Sequence, residues 1–198
     1  TFTRYAHDPA APRSLSSDEV FAIYMDPSGV LWIGSAGGGL NRLDPGTDRF
    51  ARYAHDPADP RSLGADDVRV VLEDSRGELW VGTDGGGLGR LDRASGGFDH
   101  FRLDPDDPGT LSNDDIRDVL EDATGALWVA TDNGGLNRLD RRTGAFRYYR
   151  SRLGDPTTIR SDAVNALYQD RQSAIWLGGW DGGLGRINPV TGRVRRFE

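Results

Sequence analysis

Residues 79–92 read LWVGTDGGGLGRLD, and this stretch returns with small changes at 31–44, 127–140 and 175–188. One tryptophan marks each copy, so that the spacing is 48 residues between Trp32, Trp80, Trp128 and Trp176. A fixed period of this length is typical of repeat proteins, in which each copy is one structural unit. The 198-residue chain therefore predicts four such units.

The sequence of each unit predicts four short strands, which we call A to D. In the second unit the apolar run VRVVLED (68–74) is strand A, and the tryptophan stretch supplies strands B and C. β-Branched and apolar residues favour buried strands, and the Asp and Gly residues between them favour tight turns. Strands A to C are predicted within 17–44, 65–92, 113–140 and 161–188. D-type strands are predicted at 1–6, 49–54, 97–102, 145–150 and 193–198.

Four short antiparallel strands in 40–50 residues predict one blade of a β-propeller. The fold class is therefore all-β, with residues 1–198 forming one propeller domain. Blade sheets pack on neighbouring blades through both faces, which explains the nearly continuous apolar runs. We interpret the four repeated tryptophans as structural core between blades.

Composition excludes several function classes. The net charge of −7 argues against nucleic acid and against an anionic membrane surface as partners. The sequence contains no Cys and no Lys, which removes zinc–thiolate sites and Schiff-base chemistry. No apolar run approaches the roughly 20 residues of a membrane span, and no signal peptide is visible in this chain. We expect no metal and no cofactor, because His7, His55 and His100 are the only histidines and the first two occupy equivalent loop positions.

The repeat resembles the two component regulator propeller repeat over nearly the whole chain. The second unit carries the pattern at Ser62, Leu63, Val68, Glu73, Asp74, Gly77, Leu79, Trp80, Val81, Gly82, Thr83, Gly86, Gly87, Leu88, Arg90, Leu91, Asp92 and Phe98. The resemblance implies the periplasmic or extracytoplasmic sensor region of a bacterial signal transduction protein. It also implies a kinase or cyclase output beyond a membrane helix, and a carbohydrate ligand. Sensors of the family carry more than four blades, so the chain is similar to a fragment, a compact relative or an engineered piece.

The blade number raises the question of how the ring closes. Four blades in a ring each subtend about 90°, and eight each subtend about 45°. An open arc would expose two apolar blade faces. We therefore expect a homodimer that closes an eight-bladed ring by two-fold symmetry, and a closed four-bladed monomer is the alternative. Residues 2–5 and 194–197 both resemble strand D, so the first could complete the last blade of a partner.

The loops between strands D and A and between B and C share one face, which is the expected ligand face. Trp180 lies outside the 48-residue series, beside Asp181. A tryptophan can stack on a sugar ring while a carboxylate accepts hydroxyl hydrogen bonds. The alternative is that Trp180 packs on a neighbouring loop, and that the B–C residues Asp84, Asp132, Asn133 and Asp181 only suit left-handed turns.

The second position of strand A also varies, and we expect it to face the channel mouth. Its residues are Phe21, Arg69, Arg117 and Asn165. The two arginines either bind a carboxylate or sulfate of a ligand, or pair with the nearby acids Asp66, Asp67, Asp114, Asp115 and Asp118.

These observations predict a non-enzymatic recognition module, with an oligosaccharide as possible ligand. The alternative is a structural, self-assembling fragment or engineered scaffold without a ligand of its own. A third hypothesis is an enzyme, since some antibiotic lyases use related propellers with a metal ion and histidines, but three histidines give it little support.

Overall fold

The computed structural model describes residues 2–197. Within that range the regular secondary structure consists of β-strands alone. The strands form four antiparallel sheets of four, so the prediction of an all-β fold built from four-stranded blades is confirmed. Blade 1 consists of β1 (Val20–Met25), β2 (Leu31–Ser35), β3 (Gly39–Leu43) and β4 (Phe50–Tyr53). Blade 2 consists of β5 (Val68–Glu73), β6 (Leu79–Thr83), β7 (Leu88–Leu91) and β8 (Phe98–Phe101).

The remaining two sheets repeat this arrangement. Blade 3 consists of β9 (Ile116–Glu121), β10 (Leu127–Thr131), β11 (Gly135–Leu139) and β12 (Phe146–Tyr149). Blade 4 consists of β13 (Ala166–Gln169), β14 (Ile175–Gly179), β15 (Gly183–Ile187) and β16 (Val194–Phe197). Each strand pairs with the next one along the chain, as the order A–B–C–D requires. Within residues 2–197 no helix has the length and apolar character needed to cross a membrane.

The N-terminal segment differs from the prediction. Residues 2–6 form no strand, so the D-type strand expected at 1–6 is absent over its described part. The strand-D position of blade 1 is already held by β4, so the segment is not needed to complete that blade. The ring of Tyr5 instead lies perpendicular to that of Phe50, with 5.6 Å between the ring centres. At the other end of the chain, β16 pairs with β15 as the outer strand of blade 4.

The contacts divide the chain into two compact units, one ending at His100 and the other beginning at Phe101. In the first unit Trp32 and Leu40 of blade 1 pack against Val68, Val71 and other residues of blade 2. In the second unit Trp128, Ala130 and Leu136 of blade 3 pack against Val164 and Leu177 of blade 4. The core of each unit therefore lies between its two blades.

An aspartate at the end of strand A fixes the turn to strand B in every blade. In blade 1 the Oδ1 atom of Asp26 accepts hydrogen bonds from the backbone N–H groups of Ser28 and Val30, and its Oδ2 accepts one from Nε1 of Trp32. Burial alone would raise the pKa of Asp26, but these hydrogen bonds and the nearby Arg93 hold it well below its usual range. The same aspartate–tryptophan bond recurs at Asp74, Asp122 and Asp170.

Candidate ligand-binding site

A β-bulge positions the variable side chain of strand A. In blade 1 Val20 pairs with Ser35 and Ala22 pairs with Gly34, so Phe21 between them has no partner on β2. The same shift leaves Arg69 of blade 2 and Arg117 of blade 3 outside the residue register between strands A and B. A bulge bends the strand and turns its extra side chain away from the regular ladder. In blades 1 to 3 the predicted site residue of strand A is therefore held by a repeated backbone irregularity.

Arg69 is held by two neighbours within the first unit. Its Nη2 donates a 2.8 Å hydrogen bond to Oδ2 of Asp84, which lies in the B–C turn of the same blade. Its guanidinium carbon lies 4.0 Å from the ring centre of Phe21 in blade 1. A planar guanidinium can lie over an aromatic face and form an ion pair at its edge. Three of the predicted site residues therefore form one contact group.

Arg117 repeats the ion pair in the second unit. Its Nη2 donates a 2.6 Å hydrogen bond to Oδ2 of Asp132. Both arginines thus pair with an acid, but Asp84 and Asp132 are B–C turn residues of the same blade and were not among the nearby acids that the sequence suggested as partners. The bulge explains these ion pairs, because it directs the arginine side chain toward that turn. An arginine that already has a carboxylate partner offers less charge to an acidic ligand.

The B–C turns use left-handed backbone. Gly37, Gly85 and Asn133 occupy the same repeat position, with φ values of 61°, 82° and 65°. Asparagine tolerates this conformation better than most residues other than glycine. The conformation of the turn thus accounts for Asn133 without a ligand, whereas Asp84, Asp132 and Asp181 have no positive φ and the left-handed explanation does not apply to them.

Blade 4 presents the most accessible candidate. The Trp180 side chain is 83% exposed, and Asp181 beside it is also exposed. Trp180 holds the repeat position of Asp84 and Asp132, while Asn165 holds that of Arg69 and Arg117. The backbone N–H of Asn165 donates a 2.8 Å hydrogen bond to the Gly178 carbonyl, which fixes this end of strand A. Blade 4 therefore offers an aromatic ring and a carboxylate where blades 2 and 3 offer ion pairs.

Asp118 has a role that the sequence did not reveal. Its Oδ2 accepts a 2.7 Å hydrogen bond from the backbone N–H of Leu167 and so joins strand A of blade 3 to strand A of blade 4. Burial raises the pKa of its carboxyl group, although hydrogen bonds from Leu167 and Val119 oppose the shift. The residues at the same repeat position in the other blades are Ala22, Val70 and Ala166, which are all apolar. A charged residue at this otherwise apolar position is the feature of the sequence that could have indicated the role of Asp118.

The two repeated histidines hold loops. Nδ1 of His7 lies 2.9 Å from the Leu15 carbonyl oxygen, and Nδ1 of His55 lies 2.8 Å from that of Leu63. The D–A loops thus close in the same way in both blades. Among residues 2–197, no three His, Asp or Glu side chains are grouped so that they could hold a metal ion.

Sequence comparison connects this geometry with a known family. Residues 14–37, 62–85 and 110–133 match the family described as two component regulator propeller. These three segments are similar to the repeat that defines the family. Each match covers the end of a D–A loop, strands A and B and the start of the B–C turn. No curated protein matches the chain in sequence.

Solved structures place the repeats in larger proteins. The extracellular domain of a hybrid two component system from B. thetaiotaomicron has a TM-score of 0.80 and 24% identity, covering 91% of this chain and 25% of its own. A second such domain from the same organism has a TM-score of 0.75 and 26% identity, covering 90% of this chain and 25% of its own. The chain thus spans about a quarter of these relatives.

An enzyme shares the fold at lower similarity. The structure of streptogramin B lyase has a TM-score of 0.67 and 20% identity, covering 93% of this chain and 56% of its own. At this identity the likeness concerns the fold alone. The chain therefore resembles extracellular regions of two component systems, and its fold also supports catalysis in another protein.

Proposed function

We propose that this chain is a non-enzymatic ligand-recognition propeller from the periplasmic sensing region of a bacterial two component regulator, and that its ligand is a carbohydrate. The observation that carries the proposal is the exposed Trp180 beside Asp181, on a turn held by a rigid blade. Indole rings offer a flat apolar face to sugar rings, and carboxylates accept hydroxyl hydrogen bonds. The similarity to extracellular domains of two component systems supports this cellular role.

The polar groups around this site favour a neutral sugar over an acidic one. In the neighbouring blade 3 Arg117 is paired with Asp132, and blade 4 itself has Asn165 and Asp181. A ligand carboxylate would meet Asp181 and would have to displace the Arg117–Asp132 ion pair to gain a positive partner. Hydroxyl groups can instead bond to Asp181 without breaking that contact of blade 3.

The proposal is tested by fluorescence quenching, because the other tryptophans are shielded. Trp32, Trp80 and Trp128 are buried and Trp176 is partly buried, so acrylamide reaches Trp180 most readily. A panel of neutral and acidic oligosaccharides should include one that protects Trp180 from quenching. Trp180→Phe should retain binding in calorimetry, and Trp180→Ala should lose it.

The control is Val190→Ala, which alters an exposed apolar residue on the turn before β16. It should leave the calorimetric affinity unchanged. If no oligosaccharide of either charge protects Trp180 or releases heat, the carbohydrate proposal is wrong.

A second candidate function is assembly, and the chain would then close an eight-bladed ring with a second copy. The observation that favours it is the exposure of large apolar side chains on one face of blade 1 and on one face of blade 4. Apolar patches of this kind mark interaction surfaces in soluble proteins. Light scattering after size exclusion tests it, with a dimer expected.

A further inference from the structure

Part of one face of blade 1 is exposed where the corresponding part of blade 2 is buried, while Ile33 and Phe50 on the same face pack with Leu15. Ile23 is 70% exposed, whereas Val71 at the same repeat position is 7% exposed. Val20 is 37% exposed, whereas its counterpart Val68 is fully buried. We call this face of blade 1, with Val20 and Ile23, the rear face. It has the residue types of a blade interface without a blade against it.

The opposite face of blade 4 shows the complementary pattern. Leu184 is 43% exposed, whereas its counterpart Leu40 in blade 1 is fully buried against blade 2. Tyr168 is also largely exposed on β13. We call this face, with Leu184, Tyr168 and Gly178, the forward face. Rear and forward faces are the two halves of the contact that joins blade 1 to blade 2.

The space over Gly178 shows whether the forward face of blade 4 could accept the rear face of another blade. At the equivalent Gly34, an added Cβ would lie 2.6 Å from Cγ1 of Val68, because Val68 of blade 2 fills the space over the glycine. A Cβ added at Gly178 would meet nothing within 4 Å. The forward face therefore has a gap of the kind that Val68 fills in the first unit, and Val20 is the residue equivalent to Val68.

We propose that the rear face of blade 1 in one copy docks on the forward face of blade 4 in a second copy, with Val20 entering the gap over Gly178. This rests on the assembly proposed above and names its contact surface. The same contact formed twice, from each copy to the other, closes the assembly by two-fold symmetry. Apolar surface buried at both contacts drives it.

Backbone hydrogen bonds at the edge of the interface support the same register. The N–H of Gly39 donates a 2.8 Å hydrogen bond to the Asp66 carbonyl in the next blade, and Gly135 donates one of 2.8 Å to Asp162. Gly183 and Asp18 hold the equivalent positions on the forward and rear faces. Docking in this register places the N–H of Gly183 against the carbonyl of Asp18 in the second copy.

Docking also changes the candidate ligand site. In the first unit the bulge residues of successive blades are in contact, since Arg69 lies over Phe21. The same relation brings Phe21 of the second copy beside Asn165 of blade 4. The mouth near Trp180 then gains an aromatic ring from the partner, so this part of the site is complete only in the assembly.

Substitutions at the gap test the proposal by sedimentation equilibrium. Gly178→Glu should raise the dimer dissociation constant by about 100-fold or more, while the open space around Gly178 lets the chain fold unchanged. Val190→Glu is the matched control and should change it by less than about threefold, because it places the same charge on an exposed turn, and a Cβ added at the equivalent Gly46 of blade 1 would meet nothing within 4 Å. Circular dichroism and thermal melting confirm that both variants are folded.

A mixing experiment tests the pairing of the two faces. Ile23→Glu should also abolish the dimer, because it alters the rear face. A mixture of the Gly178→Glu and Ile23→Glu chains has one intact contact and should form a detectable mixed dimer. If the wild type is dimeric and Gly178→Glu remains so, the docking mode is wrong while assembly stands. If the wild type is monomeric up to about 100 µM, both are wrong.

Discussion

Nε1 of Trp128 donates a 2.8 Å hydrogen bond to Oδ2 of Asp122, and both residues are buried. The bond joins the start of strand B to the turn that precedes it. Oδ1 of the same carboxylate accepts hydrogen bonds from the backbone N–H groups of Thr124 and Ala126. One aspartate thus fixes both the turn and the largest core side chain of blade 3.

Removal of this carboxylate should be costly. Asp122→Ala leaves the Trp128 N–H buried without its acceptor, and we expect a loss of about 3 kcal/mol in unfolding free energy. The equivalent change Asp170→Ala should cost less, because Trp176 is only partly buried. Urea unfolding followed by circular dichroism measures both. Equal losses would show that burial of the tryptophan does not determine the effect.

Acid should destabilise the fold through these aspartates. Burial raises the pKa of Asp122, but hydrogen bonds from Thr124 and Trp128 lower it more, and the net pKa lies below the ordinary value. The unfolded state therefore takes up protons first as the pH falls. The stabilisation is complete above about pH 5 and is lost as the pH falls below about 4. Urea midpoints should follow this course, and Asp122→Asn should flatten it. Parallel curves for both proteins would refute this origin.

Ionisation of Asp118 should affect stability in the opposite direction to that of Asp122. Burial raises the pKa of its carboxyl group, so the charged form is disfavoured in the folded state. Asp118→Asn removes the charge and keeps an oxygen for the Leu167 N–H, but it replaces the oxygen that accepts the Val119 N–H. Relative to the wild type, the urea midpoint of this variant should therefore be highest near pH 7 and should fall as the pH drops toward 4, where Asp118 itself becomes protonated. A difference between the two midpoints that does not depend on pH would contradict this explanation.

Gly34 and Gly178 occupy the same repeat position, so the same Gly→Ala substitution can be compared where a neighbouring blade covers the glycine and where none does. Gly34→Ala should lower the unfolding free energy by about 1–3 kcal/mol, since the added Cβ would lie 2.6 Å from Cγ1 and 2.8 Å from the carbonyl oxygen of Val68. In the monomeric chain Gly178→Ala should change it by less than about 0.5 kcal/mol. Thermal melting of both variants, at a concentration low enough for the chain to be monomeric, makes the comparison. A loss at Gly178 as large as that at Gly34 would mean that the space over Gly178 is filled within the single chain.

The sequence predicted the blades well, because a blade depends on local patterns. The 48-residue spacing of the tryptophans and the Asp–Gly turns are sufficient to define strands A to D. The solvent exposure of equivalent side chains was harder to predict from the sequence. Ile23 and Val71 are similar residues at one repeat position, and they differ in exposure because a blade packs against Val71 and none packs against Ile23. The partner of Arg69 was also unexpected, because a bulge turns it toward Asp84 and a bulge has no clear sequence signal.

The mass of the chain in solution tests most directly whether the exposed faces of blades 1 and 4 are two halves of one interface between copies. Light scattering over a range of concentrations measures it. We predict a mass of about 43 kDa, which is twice the 21.6 kDa of one chain. A mass of 21.6 kDa at every concentration would contradict this interface.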